Sequence, residues 1–292
     1  MKILILGKGY IGNYLFKLNH SHNIKWISKL DLDYTDPKTL KLYLDNELNS
    51  SNQQFDWIIN SSGYTGKPNV EACEFEKEKC YHYNVTVPLF LTKVANELDI
   101  PIIHIGSGCI YDGYSKIYNE DDIPNFGSDS YRSSFYSKTK DAFEKLSAHL
   151  NRYIFRIRIP FNEVPESKNY LSKIINYNNL ISCKNSITNI NDLASFIYKF
   201  IEQKRDYGIY NIVNEGYIEA KEVTELLEKY SIKNLNWSFI SIDDIKFKVN
   251  RSNCMLDTSK IKKMNLQLPP VINSLERDIN IYSKLLSKIN KL

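Results

Sequence analysis

The chain has 292 residues, 42% of them hydrophobic and 25% charged, with a formal net charge of +4. These proportions suit a soluble globular protein of one large or two modest domains, and a small charge without a basic run excludes nucleic acid as an implied partner. Five scattered cysteines with no CxxC pair and no metal-ligand spacing read as reduced thiols, and no segment is apolar and long enough for a signal peptide or membrane span. The expected location is therefore cytoplasmic, with no membrane partner and no metal.

In chain order, Ile3 to Leu6 is a short apolar run of the kind found in buried parallel strands, and Gly7-Lys8-Gly9-Tyr10-Ile11-Gly12 follows at once. Tyr14, Leu15 and Leu18 keep helical spacing, and Ile24 to Ile27 reads as a second strand. Asp36 to Leu48 predicts a helix, Asp56 to Asn60 a third strand, and Tyr81 to Leu98 another helix. Ile102 to Ile105 and Tyr153 to Arg158 read as strands flanking a helix from Tyr136 to Leu150. This alternation implies an α/β fold, a Rossmann-type doubly wound parallel sheet.

Beyond Pro160 the alternation weakens. Helices are expected at Tyr170 to Tyr177, Asp192 to Gln203, Glu219 to Tyr230 and Ile272 to Ile289, with one strand at Gly208 to Val213. The division expected is a cofactor domain over 1–160 and a smaller C-terminal substrate-binding lobe over 161–292. The strand near 208–213 is expected to return to the main sheet. His20 and His22 read as loop residues, whereas His82, His104 and His149 fall in elements where a structural role is expected.

A lone GxGxxG is weak evidence, but here it follows a buried-type strand and opens an amphipathic helix. The glycines permit the turn and let the backbone approach a pyrophosphate at the helix N-terminus. NAD-selective versions place an acid after the second strand to hold the ribose 2′-hydroxyl. This chain has Ser28-Lys29 there, with Lys8 in the turn, and two ammonium groups suit the 2′-phosphate of NADPH. Asp31 and Asp33 keep NADH open.

Tyr136 and Lys140 stand four apart on one helix face, and Ser107 lies just past the fourth strand. A nearby ammonium is expected to lower the phenol's pKa and make it a useful proton carrier. The Ser hydroxyl is placed to orient a substrate carbonyl. Together the three resemble the Ser/Tyr/Lys set of the extended short-chain dehydrogenases. Cys109 discriminates further. Reductases of nucleotide 4-keto sugars that only reduce typically carry Tyr at the matching place. GDP-fucose synthases, which epimerise beside the ketone, carry Cys. A thiolate is a competent base near neutral pH, and a 4-keto group acidifies the hydrogens on C3 and C5. The opposite-face His of those enzymes has no counterpart after His149, which leaves lysine as the available cation.

Several stretches resemble one family closely, the bifunctional UDP-4-keto-6-deoxyglucose 3,5-epimerase/4-reductases that complete UDP-L-rhamnose synthesis. They are Thr65 to Glu74, Gly108-Cys109-Ile110, Pro124-Asn125-Phe126, Ser134 to Lys140, Arg156 to Pro160, Arg251-Ser252-Asn253 and Leu256-Asp257. The bias toward Asn, Lys, Ile and Tyr is read as that of a giant-virus member. The resemblance implies that Lys173 pairs with Cys109 in proton exchange and that Arg251 holds the substrate's diphosphate. It also implies that Asn60, Gly63 and Asn84 line the cofactor and that Thr65 and Asn69 belong to the substrate-side loop. A homodimer is implied by the superfamily. The glycine turn is one residue shorter than the family's usual form, and the loop from Tyr111 to Arg132 differs in length. Plant members are fused to a 4,6-dehydratase, whereas only Met1 to Leu6 precede the turn here. A separate UDP-glucose 4,6-dehydratase is therefore the expected pathway partner.

Overall fold

A computed structural model describes residues 1–19, 21–67, 69–203, 205–232, 236–241 and 249–289. His20, read above as a loop residue, and Pro68 lie outside them. Strand β1 (Lys2–Leu6) leads into α1 (Tyr10–Lys17), β2 (Asn23–Ile27), α2 (Pro37–Ser51) and β3 (Trp57–Asn60). A short 3₁₀ turn at Val70–Glu74 precedes α3 (Lys77–Tyr81), which continues through a π turn at His82–Thr86 into α4 (Val87–Glu97). Then come β4 (Ile102–Ser107), α5 (Phe135–Leu146) and β5 (Tyr153–Ile157). The rest comprises β6 (Pro160–Phe161), α6 (Tyr170–Asn176), β7 (Asn179–Ile181), β8 (Thr188–Asn189), α7 (Ile190–Ile201), β9 (Gly208–Asn211), α8 (Ala220–Lys229), β10 (Ser238–Ile240), α9 (Ser259–Lys262) and α10 (Val271–Ile289).

The main sheet has the order β2-β1-β3-β4-β5-β9 and every neighbouring pair is parallel. Continuous apolar runs at β1 and β3 are fully buried because helices cover both faces of the sheet. One face packs Ile3, Ile5, Ile59 and Phe155 against Leu15 of α1 and Phe196 and Phe200 of α7. The other packs Leu4, Leu6 and Ile58 against Leu40 of α2 and Leu91 of α4. The strand expected near 208–213 does return to this sheet, beside β5. A separate core of Phe161, Leu171, Leu180, Val223, Leu275 and Ile279 builds the C-terminal lobe.

Four short strands escape the sequence pattern. They form two-stranded parallel pairs, β6 with β8 and β7 with β10, of only two or three residues each. The chain leaves β5 through Ile159, which sits at φ 37. A β-branched residue rarely occupies that left-handed region, so tertiary contacts on both sides must hold it there.

Candidate active site

The site forms at the carboxyl ends of β1, β3 and β4, beside the point where the strand order reverses. Gly7 ends β1 at φ 105 and donates its N–H to Ile27 O at 2.9 Å. A Cβ on Gly12 would lie 2.1 Å from Gly7 O, so this glycine is needed for helix and strand to meet. A Cβ on Gly9 would meet nothing within 4 Å, which leaves the mouth of the turn open. Gly9 caps α1 without a side chain and no acid occupies the first turn, so its N–H groups face an open, uncompensated positive end. These features fit a dinucleotide pyrophosphate. Ile11 packs on the core. Tyr10 turns inward, with its hydroxyl buried and pushed to a high pKa by burial, then by Tyr14, Glu166, Glu163 and Asp278. Only its backbone is left for a phosphate.

Lys8 and Lys29 both reach the rim after β2, but each already has a partner. Lys8 pairs with Asp31 at 2.9 Å above the Trp26 ring, and Lys29 donates to the Tyr83 hydroxyl at 2.9 Å. Ser28 donates its N–H and Oγ–H to Asp31 at 2.7 and 2.8 Å. Asp31 and Tyr83 are therefore part of this rim.

Asn60 and Asn84 work as clamps on the segment that follows β3. Asn60 Nδ2 donates to His104 Nδ1 at 3.0 Å while its Oδ1 accepts the Ser62 N–H at 3.1 Å. Thr92 Oγ1 donates to Pro88 O, so it accepts from His104 Nε2 and the ring is the neutral Nε2–H form. Burial, reinforced by the Lys140 and Arg152 charges, holds His104 down at about 3. Asn84 grips both the N–H and C=O of Tyr64, at 2.9 and 2.8 Å, and fixes the loop after β3. Gly63 leaves room beside Asn84 and Lys140, whose Nζ lies 3.6 Å from where a Cβ would stand. Asn60, Asn84 and Lys140 line one cavity with Ser62 and Gly106.

Ser107 ends β4, and its Oγ accepts the Cys109 N–H at 3.2 Å. The same hydroxyl and the Cys109 thiol lie close enough to Tyr136, near the start of α5, to act on its phenol. Ser134 caps that helix by accepting the Ser137 N–H at 3.1 Å. Lys140 Nζ lies 5.7 Å from the Tyr136 ring centre. The structure thus gathers Ser107, Cys109, Tyr136 and Lys140. One expectation is corrected: the Tyr136 phenol is raised, not lowered. Burial dominates and Cys109 adds to it, outweighing the lowering effect of the Ser107 hydroxyl. Burial likewise pushes the Lys140 ammonium down. A phenol so placed stays protonated and serves as a donor.

Lys173 and Arg251 stand on the lobe side. Lys173 is on α6, and desolvation by surrounding protein, then the Arg251 and Lys168 charges, push its ammonium down. Among the described residues no hydrogen bond joins it to Cys109, as suits two groups expected to act on opposite faces of one sugar. Arg251 forms an ion pair with Glu71 at 2.9 Å, joining the lobe to the turn after β3. Thr65 is exposed on that turn, and Gly66 at φ 74 makes it tight. Asn69 uses its side chain to cap the following 3₁₀ turn through the Glu71 N–H. The 111–132 loop is tied to the lobe through Tyr118, whose N–H donates to Met255 O at 2.9 Å. Among the described residues no group of three or more His, Cys, Asp or Glu is placed to hold a metal. None of their helices is long and apolar enough to cross a membrane.

Three residues were given no role by the sequence reading, Tyr83, Glu71 and Arg158, the last two within stretches that carry the resemblance. Glu71 gave no signal beyond a loop acid. Arg158 is buried directly beneath Cys109, with NH1 3.1 Å from Gly108 O and 3.9 Å from Cys109 Sγ. Two arginines alternating along a buried parallel strand are an anomaly that could have marked it.

The family model for the RmlD substrate binding domain matches residues 1–283. A bifunctional dTDP-4-dehydrorhamnose 3,5-epimerase/dTDP-4-dehydrorhamnose reductase from Arabidopsis thaliana is 30% identical over 230 residues, 75% of this chain and 74% of the relative. A trifunctional UDP-glucose 4,6-dehydratase/UDP-4-keto-6-deoxy-D-glucose 3,5-epimerase/UDP-4-keto-L-rhamnose-reductase from the same plant is also 30% identical over 230 residues. The match spans 75% of this chain and only about a third (33%) of that relative's length. Among solved structures, the L780 UDP-rhamnose synthase from Acanthamoeba polyphaga mimivirus superimposes with a TM-score of 0.84 at 22% identity, covering 96% of this chain and 99% of that one. A Bacillus anthracis dTDP-4-dehydrorhamnose reductase in complex with NADP gives 0.80 at 18% identity, covering 96% and 98%. These structural likenesses establish the doubly wound fold.

Proposed function

The chain belongs to the RmlD substrate binding domain family, and from that premise we propose that it is an NADPH-dependent enzyme of nucleotide-activated 4-keto sugars. Its reaction is 3,5-epimerisation and 4-keto reduction of UDP-4-keto-6-deoxy-D-glucose, giving UDP-L-rhamnose. The observation that carries this reading is the meeting of Ser107, Cys109, Tyr136 and Lys140 at one strand end. A reductase needs a proton donor beside the ketone. An epimerase needs a base beside it, and a half-buried thiol stands next to that donor.

NADPH supplies the hydride when bound, held by the open Gly7–Gly12 turn with Lys8 and Lys29 at the 2′-phosphate. Ser107 and Tyr136 hydrogen-bond the C4 oxygen and stabilise the negative charge that develops there. Tyr136 gives its proton to that oxygen, and Lys140 beside the ring favours the phenolate left behind. Before reduction, Cys109 removes the acidified hydrogen at C5 or C3, and Lys173 serves as the cation from the lobe side. Arg251 meets the diphosphate, exchanging its Glu71 partner for phosphate oxygens. Thr65 and Asn69 form the rim on the sugar side.

The site as read takes a sugar that already carries the 4-keto group, since Cys109 acts on the carbons that group acidifies and Tyr136 on its oxygen. A 4,6-dehydratase acting on UDP-glucose is the reaction class that supplies it. The test is to incubate the protein with NADPH and UDP-4-keto-6-deoxy-D-glucose and identify the sugar by NMR. A rhamno-configured product supports the reading. A 6-deoxy sugar that keeps the gluco configuration at C3 and C5 reduces the protein to a reductase.

A further inference from the structure

We propose that Arg158 is a positioning residue for proton exchange, the buried counter-ion that holds Cys109 as a thiolate. This rests on the reading of Cys109 as the base. Arg158 is only 1% exposed, and a guanidinium that far from water is costly unless a negative charge faces it. Its partners are nevertheless neutral oxygens: Gly108 O at 3.1 Å, Ser252 Oγ at 2.9 Å, Ser252 O at 3.1 Å and Asn185 Oδ1 at 2.6 Å. The fifth contact is Cys109 Sγ at 3.9 Å. No carboxylate lies within ion-pair distance of it among the described residues.

Arg156, two residues earlier and equally buried, shows the contrast. It holds Glu144 through Nε and NH2, the shortest contact being 2.6 Å. Arg158 has no such acid, so the group it touches that is able to become an anion is the Cys109 thiol. The ionisable groups facing Arg158 are Cys254, Cys109, Tyr114 and Asp112, and Tyr136 and Lys140 face Cys109 from α5. Cys254 is no competitor: burial pushes it up to about 11 and its Sγ donates to Gly108 O. Gly108 is part of the device. A Cβ there would stand 2.6 Å from Leu256 Cδ1, 2.9 Å from Arg158 Cγ and 3.1 Å from Cδ, so a side chain would crowd both the leucine and the arginine stem.

In the step itself the C–H bond beside the ketone breaks and an S–H bond forms. The carbon's electron pair moves onto the ketone oxygen as an enolate. No oxidant or reductant is consumed. Lys173 then gives a proton to that carbon from the lobe side, the enolate electrons re-forming the ketone, and the thiol loses its proton to solvent, which restores the anionic partner of Arg158.

The experiment follows iodoacetamide modification of Cys109 by peptide mass spectrometry across about pH 5 to 9, with glutathione as reference, because only thiolate reacts. In the wild type the profile should rise at a lower pH than that of glutathione. In Arg158→Met it should move up by about one to three pH units, with Arg158→Lys restoring most of the shift. Solvent exchange at C3 and C5 at neutral pH should fall at least about tenfold in Arg158→Met, while reduction of an already epimerised keto sugar stays within about twofold. An unchanged profile in folded Arg158→Met overturns the assignment. If that variant does not fold, a wild-type profile rising no earlier than glutathione's overturns it equally. Exchange retained in Cys109→Ser instead overturns the reading of Cys109 on which the proposal rests.

Discussion

The Lys8 ammonium stands 2.9 Å from the Asp31 carboxylate, just beyond β2, where the proposed cofactor would present its ribose 2′ position. The backbone N–H of Ser28, then Lys8 and the Ser28 hydroxyl, hold Asp31 down at about 2, so it is charged at any working pH. A 2′-phosphate must therefore displace Asp31 to gain Lys8. Asp31→Asn should improve NADPH binding relative to NADH. Lys8→Glu or Lys29→Glu should weaken NADPH by about tenfold or more and NADH far less, since attraction becomes repulsion. Titration of both cofactors checks this, and equal losses would show that neither lysine meets the phosphate.

Tyr136→Phe removes the proposed donor for the C4 oxygen and leaves Cys109 in place. Reduction should fall by about 10² to 10⁴-fold while exchange at C5 stays measurable. The expectation follows from the raised, protonated phenol beside Ser107. Exchange that vanishes with the Tyr136 hydroxyl would contradict the division of work.

The part of the stability that depends on His104 should fall as pH drops, against the opposite contribution of Asp278, whose carboxyl burial raises to about 6. The His104 pKa is held at about 3 in the fold against 6.5 ordinarily, so the unfolded chain takes up the proton first. The contribution is complete above about pH 6.5 and is lost on going down toward pH 3; at pH 5 the loss is about 2 kcal/mol. Urea unfolding at pH 7 and pH 5 measures it. His104→Gln should show a smaller difference between the two pH values, and an unchanged difference would exclude His104 as the cause.

Glu144 ties α5 to β5 through Arg156, with both side chains buried. Glu144→Gln leaves the guanidinium without its counter-charge and should cost about 3–5 kcal/mol of unfolding free energy. Replacing the pair together, Glu144→Leu with Arg156→Met, should cost less than the single change. A single change costing under about 0.5 kcal/mol would show that the pair does not anchor the helix.

Much of this was legible because local signals agreed with the fold. The apolar run Ile3 to Leu6 followed by glycines fixes a buried strand and an open helix start, and Tyr136 and Lys140 share a face by helical spacing alone. The two-residue strands at Pro160 and Thr188 were not legible, since they are too short to show a period. Nor was the ionisation of Tyr136: the ammonium four residues on is visible in the sequence, but the burial that outweighs it is tertiary. The occupied state of Lys8 and Lys29 depends on Asp31 and Tyr83, and Lys29 and Tyr83 are 54 residues apart. The missing acid of Arg158 is a relation among distant segments, and sequence spacing does not report it.

The central claim is that one pocket first exchanges protons beside the ketone and then reduces it. The direct measurement is incubation with UDP-4-keto-6-deoxy-D-glucose in deuterium oxide, without NADPH and then with it, following C3 and C5 by NMR. Deuterium should enter both positions without NADPH, and a rhamno-configured product carrying it should accumulate once NADPH is added. Reduction with ordinary hydrogen retained at C3 and C5 would contradict the account, because Cys109 would then have removed no proton before the ketone was lost.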